Sequence, residues 1–236
     1  MDADTPGAHD GRLWVFGYGS LMWRTGFPTL SAHRARLDGY HRAFCITSTH
    51  HRGTAERPGL VLGLDRGGTC TGMAFEVAPE HADATRHYLR ARELINGVYR
   101  ESLVPVALQD VSGGDPARVR ALAYIVERAH PSYARPLPLT IEARLIRGAE
   151  GISGANLDYL VNTVRHLQSL GIRERRMERL MALAAGHVAN DWSHGELERP
   201  GAEAIRRACA PHRAPVRLIR RDQRRRFLYR LRLANG

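Results

Sequence analysis

The chain has 236 residues, 43% of them hydrophobic, and a formal charge of +11 carried by arginine alone, since the sequence contains no lysine. That length and apolar content suffice for one well-cored domain, or for one domain with an appendage. Three scattered cysteines (Cys45, Cys70, Cys209) without CxxC spacing argue against a disulfide scaffold or a zinc ribbon, and no apolar run is long enough to span a bilayer. The polar start, Met1 to Gly11, lacks the basic and apolar regions of a secretory signal, so residues 1–12 read as a flexible N-terminus. Leu13 to Phe16 (LWVF) reads as a buried strand entering the tight loop Gly17-Tyr18-Gly19-Ser20. Arg36 to Ser48 reads as a second strand. Leu60–Leu64 and Cys70–Val77 read as two more, joined by a hairpin-type turn at Arg66-Gly67-Gly68. Cys45 and Cys70 fall in these apolar runs and read as small core residues.

Pro79 and Glu80 suit a helix N-terminus, so a helix is expected from Pro79 to about Leu94, stopped by Asn96-Gly97. Strands follow over Val98–Leu108 and Arg118–Glu127, separated by the turn Gly113-Gly114-Asp115-Pro116. After the proline-rich loop 131–138, Thr140 is expected to cap a helix carrying Ile141, Leu145 and Ile146. Ser153 is expected to cap the next, in which Leu157, Leu160, Val161, Val164 and Leu167 recur at helical spacing until Gly171. A last helical pattern runs through Leu180, Met181 and Ala184. Strands come early and helices late, without βαβ alternation. The fold class expected is therefore α+β, a small mixed or antiparallel, curved or barrel-like sheet with flanking helices. From about Val188 the periodicity degrades and arginine density rises, so 13–187 reads as one domain and 188–236 as an Arg-rich appendage.

The glycine-rich loop does not fit the common phosphate or nucleophile motifs. Met22 stands where a dinucleotide fingerprint needs its third glycine and where a nucleophile elbow needs its last one. A lysine-free chain cannot supply a Walker loop. What remains is a plain tight turn, or a nest of backbone N–H groups converging on a carboxylate. Glu93 continues the line of Ala82, Thr85 and Leu89 along its helix. It reads either as a surface glutamate paired with Arg90, Arg92 or Arg100, or as an inward carboxylate whose pKa is raised by burial and by the helix C-terminus.

Four ordered blocks then carry a resemblance. They are Trp14-Val15-Phe16-Gly17-Tyr18-Gly19-Ser20-Leu21; Arg42-Ala43-Phe44 with His51-Arg52-Gly53-Thr54, Pro58-Gly59 and Cys70-Thr71-Gly72; Tyr88-Leu89-Arg90-Ala91-Arg92-Glu93; and Ala123-Tyr124-Ile125, Tyr133 and Gly151-Ile152-Ser153-Gly154-Ala155-Asn156-Leu157-Asp158-Tyr159. Together they resemble the ChaC-type γ-glutamylcyclotransferases over about residues 13–185. The resemblance implies a cytoplasmic, cofactor-free enzyme that cyclises the γ-glutamyl group of glutathione and releases 5-oxoproline and Cys-Gly. It implies Glu93 as general acid/base and the loop Tyr18, Gly19, Ser20 and Leu21 as holder of the substrate α-carboxylate. Arg52 is expected either to meet a substrate carboxylate or to close a loop ion pair. Tyr124 and Tyr133 are expected to reach the pocket with a hydroxyl or to serve as core residues. Asn156 is read as a helix-start cap.

Two alternatives accompany this reading. Other γ-glutamyl amines or dipeptides share the recognised half of glutathione. In a different class, Arg224-Arg225-Arg226-Phe227-Leu228-Tyr229-Arg230 mixes cations with aromatics and would suit nucleic acid, although its apolar residues would equally dock it on protein. No metal-ligand spacing such as HExxH occurs around His50 and His51.

Overall fold

The structure, a computed structural model, describes residues 11–109 and 117–186. Most of the expected N-terminal stretch, the Gly113–Pro116 turn, Cys209 and the Arg-rich appendage lie outside the described residues.

Five strands close into a barrel in the order β1-β3-β2-β4-β5. They are β1 (Leu13–Gly17), β2 (Ser31–Ser48), β3 (Gly59–Val77), β4 (Tyr99–Leu108) and β5 (Arg118–Val126). All neighbours are antiparallel except β1 and β5, whose parallel pairing closes the ring. Strand β1 explains why its sequence is apolar throughout rather than alternating. Phe16 and the flanking Trp14 join a cluster with Leu37, Leu64, Cys70, Val104 and Ile125. Leu13 and Val15 join the opposite cluster with Phe75, Leu89 and Tyr124. Both faces of the strand are thus covered.

One expected feature is corrected. Leu60–Leu64 and Cys70–Val77 are not two strands of a hairpin but parts of one continuous strand, β3, paired with β2 along its length. Gly67 and Gly68 have φ of +100° and +70°, as a tight turn would require, yet they sit at a register irregularity facing Asp38–Tyr40. An extra residue there bends the ladder instead of reversing it. Strand β2 also begins five residues earlier than expected, at Ser31, where polar residues hide the pattern.

Helix α1 (Pro79–Glu93) follows its expected course, with Pro79 in the first turn and Thr85 and Leu89 buried. Three later helices, α2 (Leu139–Gly148), α3 (Asn156–Ser169) and α4 (Arg175–Ala185), pack a second core over Phe44, Leu60 and Leu62 of the barrel. Neither expected cap forms. Helix α2 starts after Pro138 and α3 after Ala155, both without a side-chain cap. Ser153 instead lies in the turn of a short ribbon, β6 (Glu150–Gly151) paired with β7 (Gly154–Ala155). Asn156 opens α3, but its fully buried amide serves the barrel. It accepts from the Leu60 N–H and donates to the Leu60 carbonyl, both at 2.7 Å. Cys45 and Cys70 are buried free thiols, as expected. Among the described residues no helix is long and apolar enough to cross a membrane.

Candidate active site

Helix α1 ends where its inward stripe reaches the mouth of the barrel. Glu93 is its last residue, and the Glu93 side chain is only 18% exposed. It lines a pocket together with Tyr18, Gly19, Ser20, Leu21, Leu62, Tyr99, Tyr124 and Tyr159. Burial pushes the Glu93 carboxyl above the ordinary glutamate range, while the adjacent Arg92 guanidinium, 2.9 Å away, pulls it partly back. The helix C-terminus adds to the upward push. Among the residues lining this pocket it is the single carboxylate.

The loop that follows β1 forms one wall. Gly17 ends the strand, and Ser20–Met22 make one turn of 3-10 helix closed by Met22 N–H donating to the Gly19 carbonyl at 2.9 Å. At the start of such a turn the first N–H groups have no partner within the helix. Those of Ser20 and Leu21 are therefore unclaimed by the turn itself, and both residues line the pocket. Two arginines hold the loop from behind. Arg42, with no exposed side-chain surface, donates to the Tyr18 and Thr71 carbonyls and pairs with Glu174 at the start of α4. Arg92 donates to the Ser20 hydroxyl at 2.8 Å and to the Arg24 carbonyl at 2.7 Å.

The remaining walls are phenolic. Tyr99 donates to the Leu62 carbonyl at 2.7 Å and interacts with the Tyr18 hydroxyl. The Leu62 backbone also engages the Tyr159 hydroxyl. Burial raises all these phenols, Tyr159 to about 12, and the Glu93 charge raises them further. They stay protonated at neutral pH and present hydroxyls rather than phenolates to a bound molecule. Tyr124 lines the pocket with its ring, but its hydroxyl donates to Glu101 at 3.1 Å, a carboxylate already forked by Arg90.

Of the residues singled out from the sequence, Glu93, Tyr18, Gly19, Ser20, Leu21 and Tyr124 come together around this one pocket. Arg52 stands one layer behind it. Its guanidinium lies 5.2 Å from the Tyr159 ring and donates to the Ala155 carbonyl; it is not among the residues that line the pocket, and it forms no ion pair among the described residues. Tyr133 is outside the pocket. Its hydroxyl donates to the buried Asp65 at 2.8 Å, beside Arg128. Sequence reasoning passed over Tyr99 and Tyr159 as site residues. Both stand within recognised sequence patterns, a strand and the fourth block, but nothing local marks their hydroxyls as convergent. Among the described residues no group of three or more His, Cys, Asp or Glu side chains could hold a metal ion.

Comparison with known proteins gives a consistent picture. Residues 13–187 match the model of the family described as ChaC-like protein. The chain is 34% identical over 192 residues to the glutathione-specific γ-glutamylcyclotransferase of Escherichia coli K12, covering 81% of this chain and 80% of that one. It is 33% identical to γ-glutamylcyclotransferase 2-3 of Arabidopsis thaliana over 81% of this chain and 98% of the relative. In fold it is similar to the crystal structure of a yeast γ-glutamyl cyclotransferase specific to glutathione, with a TM-score of 0.67 at 22% identity, over 75% of this chain and 96% of that one.

Proposed function

This chain belongs to the ChaC-like family, and from that premise we propose that it cyclises the γ-glutamyl group of glutathione, releasing 5-oxoproline and Cys-Gly. The observation that carries the reading is a largely buried, pKa-raised carboxylate, Glu93, sharing one pocket with the Tyr18–Leu21 loop, three further tyrosines and Leu62.

The chemistry is an intramolecular aminolysis. The substrate α-carboxylate binds at the Tyr18–Leu21 loop, where N–H groups and the Ser20 hydroxyl replace its water. This folds the γ-glutamyl chain so that its α-amine reaches its own γ-carbonyl, and a preorganised conformer supplies a large part of the acceleration. The α-amine arrives as an ammonium ion, and Glu93 takes its proton. A C–N bond forms to the γ-carbon, closing the five-membered lactam, and the bond to the cysteinyl nitrogen breaks. Glu93 returns that proton to the departing nitrogen, and the second proton, shed by the new lactam nitrogen as the tetrahedral adduct collapses, is passed the same way, so both protons lost by the α-nitrogen leave on the cysteinyl ammonium. A carboxyl group with a raised pKa is suited to both transfers near neutral pH. The tyrosine hydroxyls are available to stabilise the oxyanion that develops on the γ-carbonyl.

Residues 13–187 form the catalytic unit in this reading, with 1–12 and the Arg-rich 188–236 as extensions. A cytoplasmic setting belongs to it too, since buried free thiols and glutathione both suit a reducing compartment. The test is to incubate the purified protein with reduced glutathione and follow both products by mass spectrometry. Equal release is expected, with a loss of about 10²- to 10⁴-fold in Glu93→Gln, the range for removing a general acid/base. Cleavage of γ-glutamyl-alanine but not glutathione would change the substrate and keep the mechanism. Wild-type turnover by folded Glu93→Gln would refute the mechanism.

A further inference from the structure

We propose that Arg92 is a positioning residue that couples the substrate loop to the general acid/base, holding Ser20 as a hydroxyl donor and Glu93 as an oriented carboxylate through one guanidinium. The proposal rests on the reading of Glu93 and the Tyr18–Leu21 loop given above, and it adds a residue to which that reading assigns no role.

All three guanidinium nitrogens of Arg92 are engaged. Nε faces Glu93 Oε1 at 2.9 Å, Nη2 donates to the Ser20 hydroxyl oxygen at 2.8 Å, and Nη1 donates to the Arg24 carbonyl at 2.7 Å and the Tyr88 hydroxyl oxygen at 3.0 Å. One planar fork therefore ties the end of α1 to both ends of the segment Ser20–Arg24. Tyr88 lies one turn earlier on the same helix and packs against Gly26, where an added Cβ would come within 2.0 Å of its hydroxyl. The segment is thus clamped to α1 by Arg92 and seated on it by Tyr88. The Arg92 side chain is 24% exposed, partly withdrawn from water, which strengthens its pairing with Glu93.

Two chemical consequences follow. Arginine has no acceptor, so its bond to Ser20 uses an oxygen lone pair and leaves the Ser20 O–H hydrogen to point elsewhere. With Ser20 lining the pocket, that hydrogen is available to a bound carboxylate. A cation at Arg92 also favours the charged form of Glu93 and offsets part of the cost of burial. The other groups that face Glu93 act in the same electrostatic field but are neutral: Tyr18 at the end of β1, Tyr99 on β4, Tyr124 on β5 and Tyr159 on α3. Arg92 is the cation that offsets burial at Glu93. An incoming α-ammonium then meets a carboxyl group that the same cation orients and biases towards its charged form.

The experiment compares wild type, Arg92→Gln and Arg92→Lys in the full chain. Without substrate, the Glu93 carboxyl is titrated by ¹³C NMR, its resonance assigned by its loss in Glu93→Gln. With glutathione, kcat and KM are measured across pH. Arg92→Gln removes the cation, so the Glu93 midpoint and the acidic limb of kcat/KM are expected to move together to higher pH. KM is expected to rise about tenfold, the order expected for one lost charge-assisted hydrogen bond. Arg92→Lys keeps the charge but cannot span Glu93, Ser20 and Arg24 at once. It should raise KM similarly and leave the acidic limb in place, and it carries the test should the glutamine variant fail to fold. A general loss of structure would move neither the midpoint nor the limb in this charge-dependent way. An unmoved Glu93 midpoint in Arg92→Gln, or a wild-type KM in both variants, overturns the proposal. The titration needs no turnover, so absence of 5-oxoproline from wild type would sink the functional reading alone and leave the pairing to be decided by NMR.

Discussion

Replacing Arg42 by methionine probes how the barrel holds its substrate loop. Arg42 is fully buried and donates to two backbone carbonyls, Tyr18 and Thr71, while pairing with Glu174. Methionine fills much of the stem volume but supplies no donor. An abandoned buried carbonyl costs about 1–3 kcal/mol, which applies in full to Tyr18 and less to the part-buried Thr71. Glu174 is 26% exposed and can turn to water, so it adds less, and removing a buried cation returns part of its desolvation cost. The net is about 3 kcal/mol, the low end of the range for breaking a buried pair from one side. For a folded unit of this size that corresponds to a fall in Tm of roughly 6–12 °C. Differential scanning calorimetry measures the fall, and a urea titration should show a lower midpoint at unchanged slope. The Tyr18 carbonyl also loses its tether, so KM for glutathione should rise in the population that stays folded. A fall in Tm below about 2 °C would refute the reasoning, because a buried and a part-buried carbonyl cannot both lose their donor for so little.

The Asn156 amide bridges both backbone groups of Leu60 from a fully buried position, so Asn156→Ala should cost about 2–5 kcal/mol by urea unfolding. At Asp65, burial pushes the carboxyl up, but hydrogen bonds from Arg128, Tyr133 and the Arg66 N–H together outweigh it and hold the carboxyl below its ordinary value. A depressed folded pKa contributes stability that is present above the unfolded value of about 3.9 and is lost as pH falls through the folded one. The gap in Tm between wild type and Asp65→Asn should therefore be widest near neutrality and close on acidification below about pH 4. Burial raises both described thiols, Cys70 to about 11. Peptide mapping after iodoacetamide treatment should find Cys45 and Cys70 unmodified in native protein and alkylated after unfolding.

How far the sequence discloses this site depends on how local each signal is. Glu93 was legible because helical periodicity carries a line from Ala82 through Thr85 and Leu89 to the last turn, and the barrel buries that line. The loop was legible because a strand-terminating Gly-Tyr-Gly-Ser has few backbone options. The hairpin expected at Gly67-Gly68 failed for the converse reason. Two positive-φ glycines serve a turn and a bent ladder alike, and only the pairing of β2 with the whole of β3 decides between them. Tyr99 and Tyr159 lie 60 residues apart on a strand and a helix, and their hydroxyls meet at Leu62 only once the barrel is closed and α3 is laid across it. Arg92 is the sharpest case. Neighbours in sequence do not face one another on a regular helix, so the sequence offers Arg92 as one of three partners for a surface Glu93 but not for an inward one. They meet because α1 stops at Glu93, whose carboxylate lies within reach of the Arg92 guanidinium where the helix ends. The helix stop thus does more than end an element: moved one turn later, it would keep the inward carboxylate and lose the cation that offsets part of its burial.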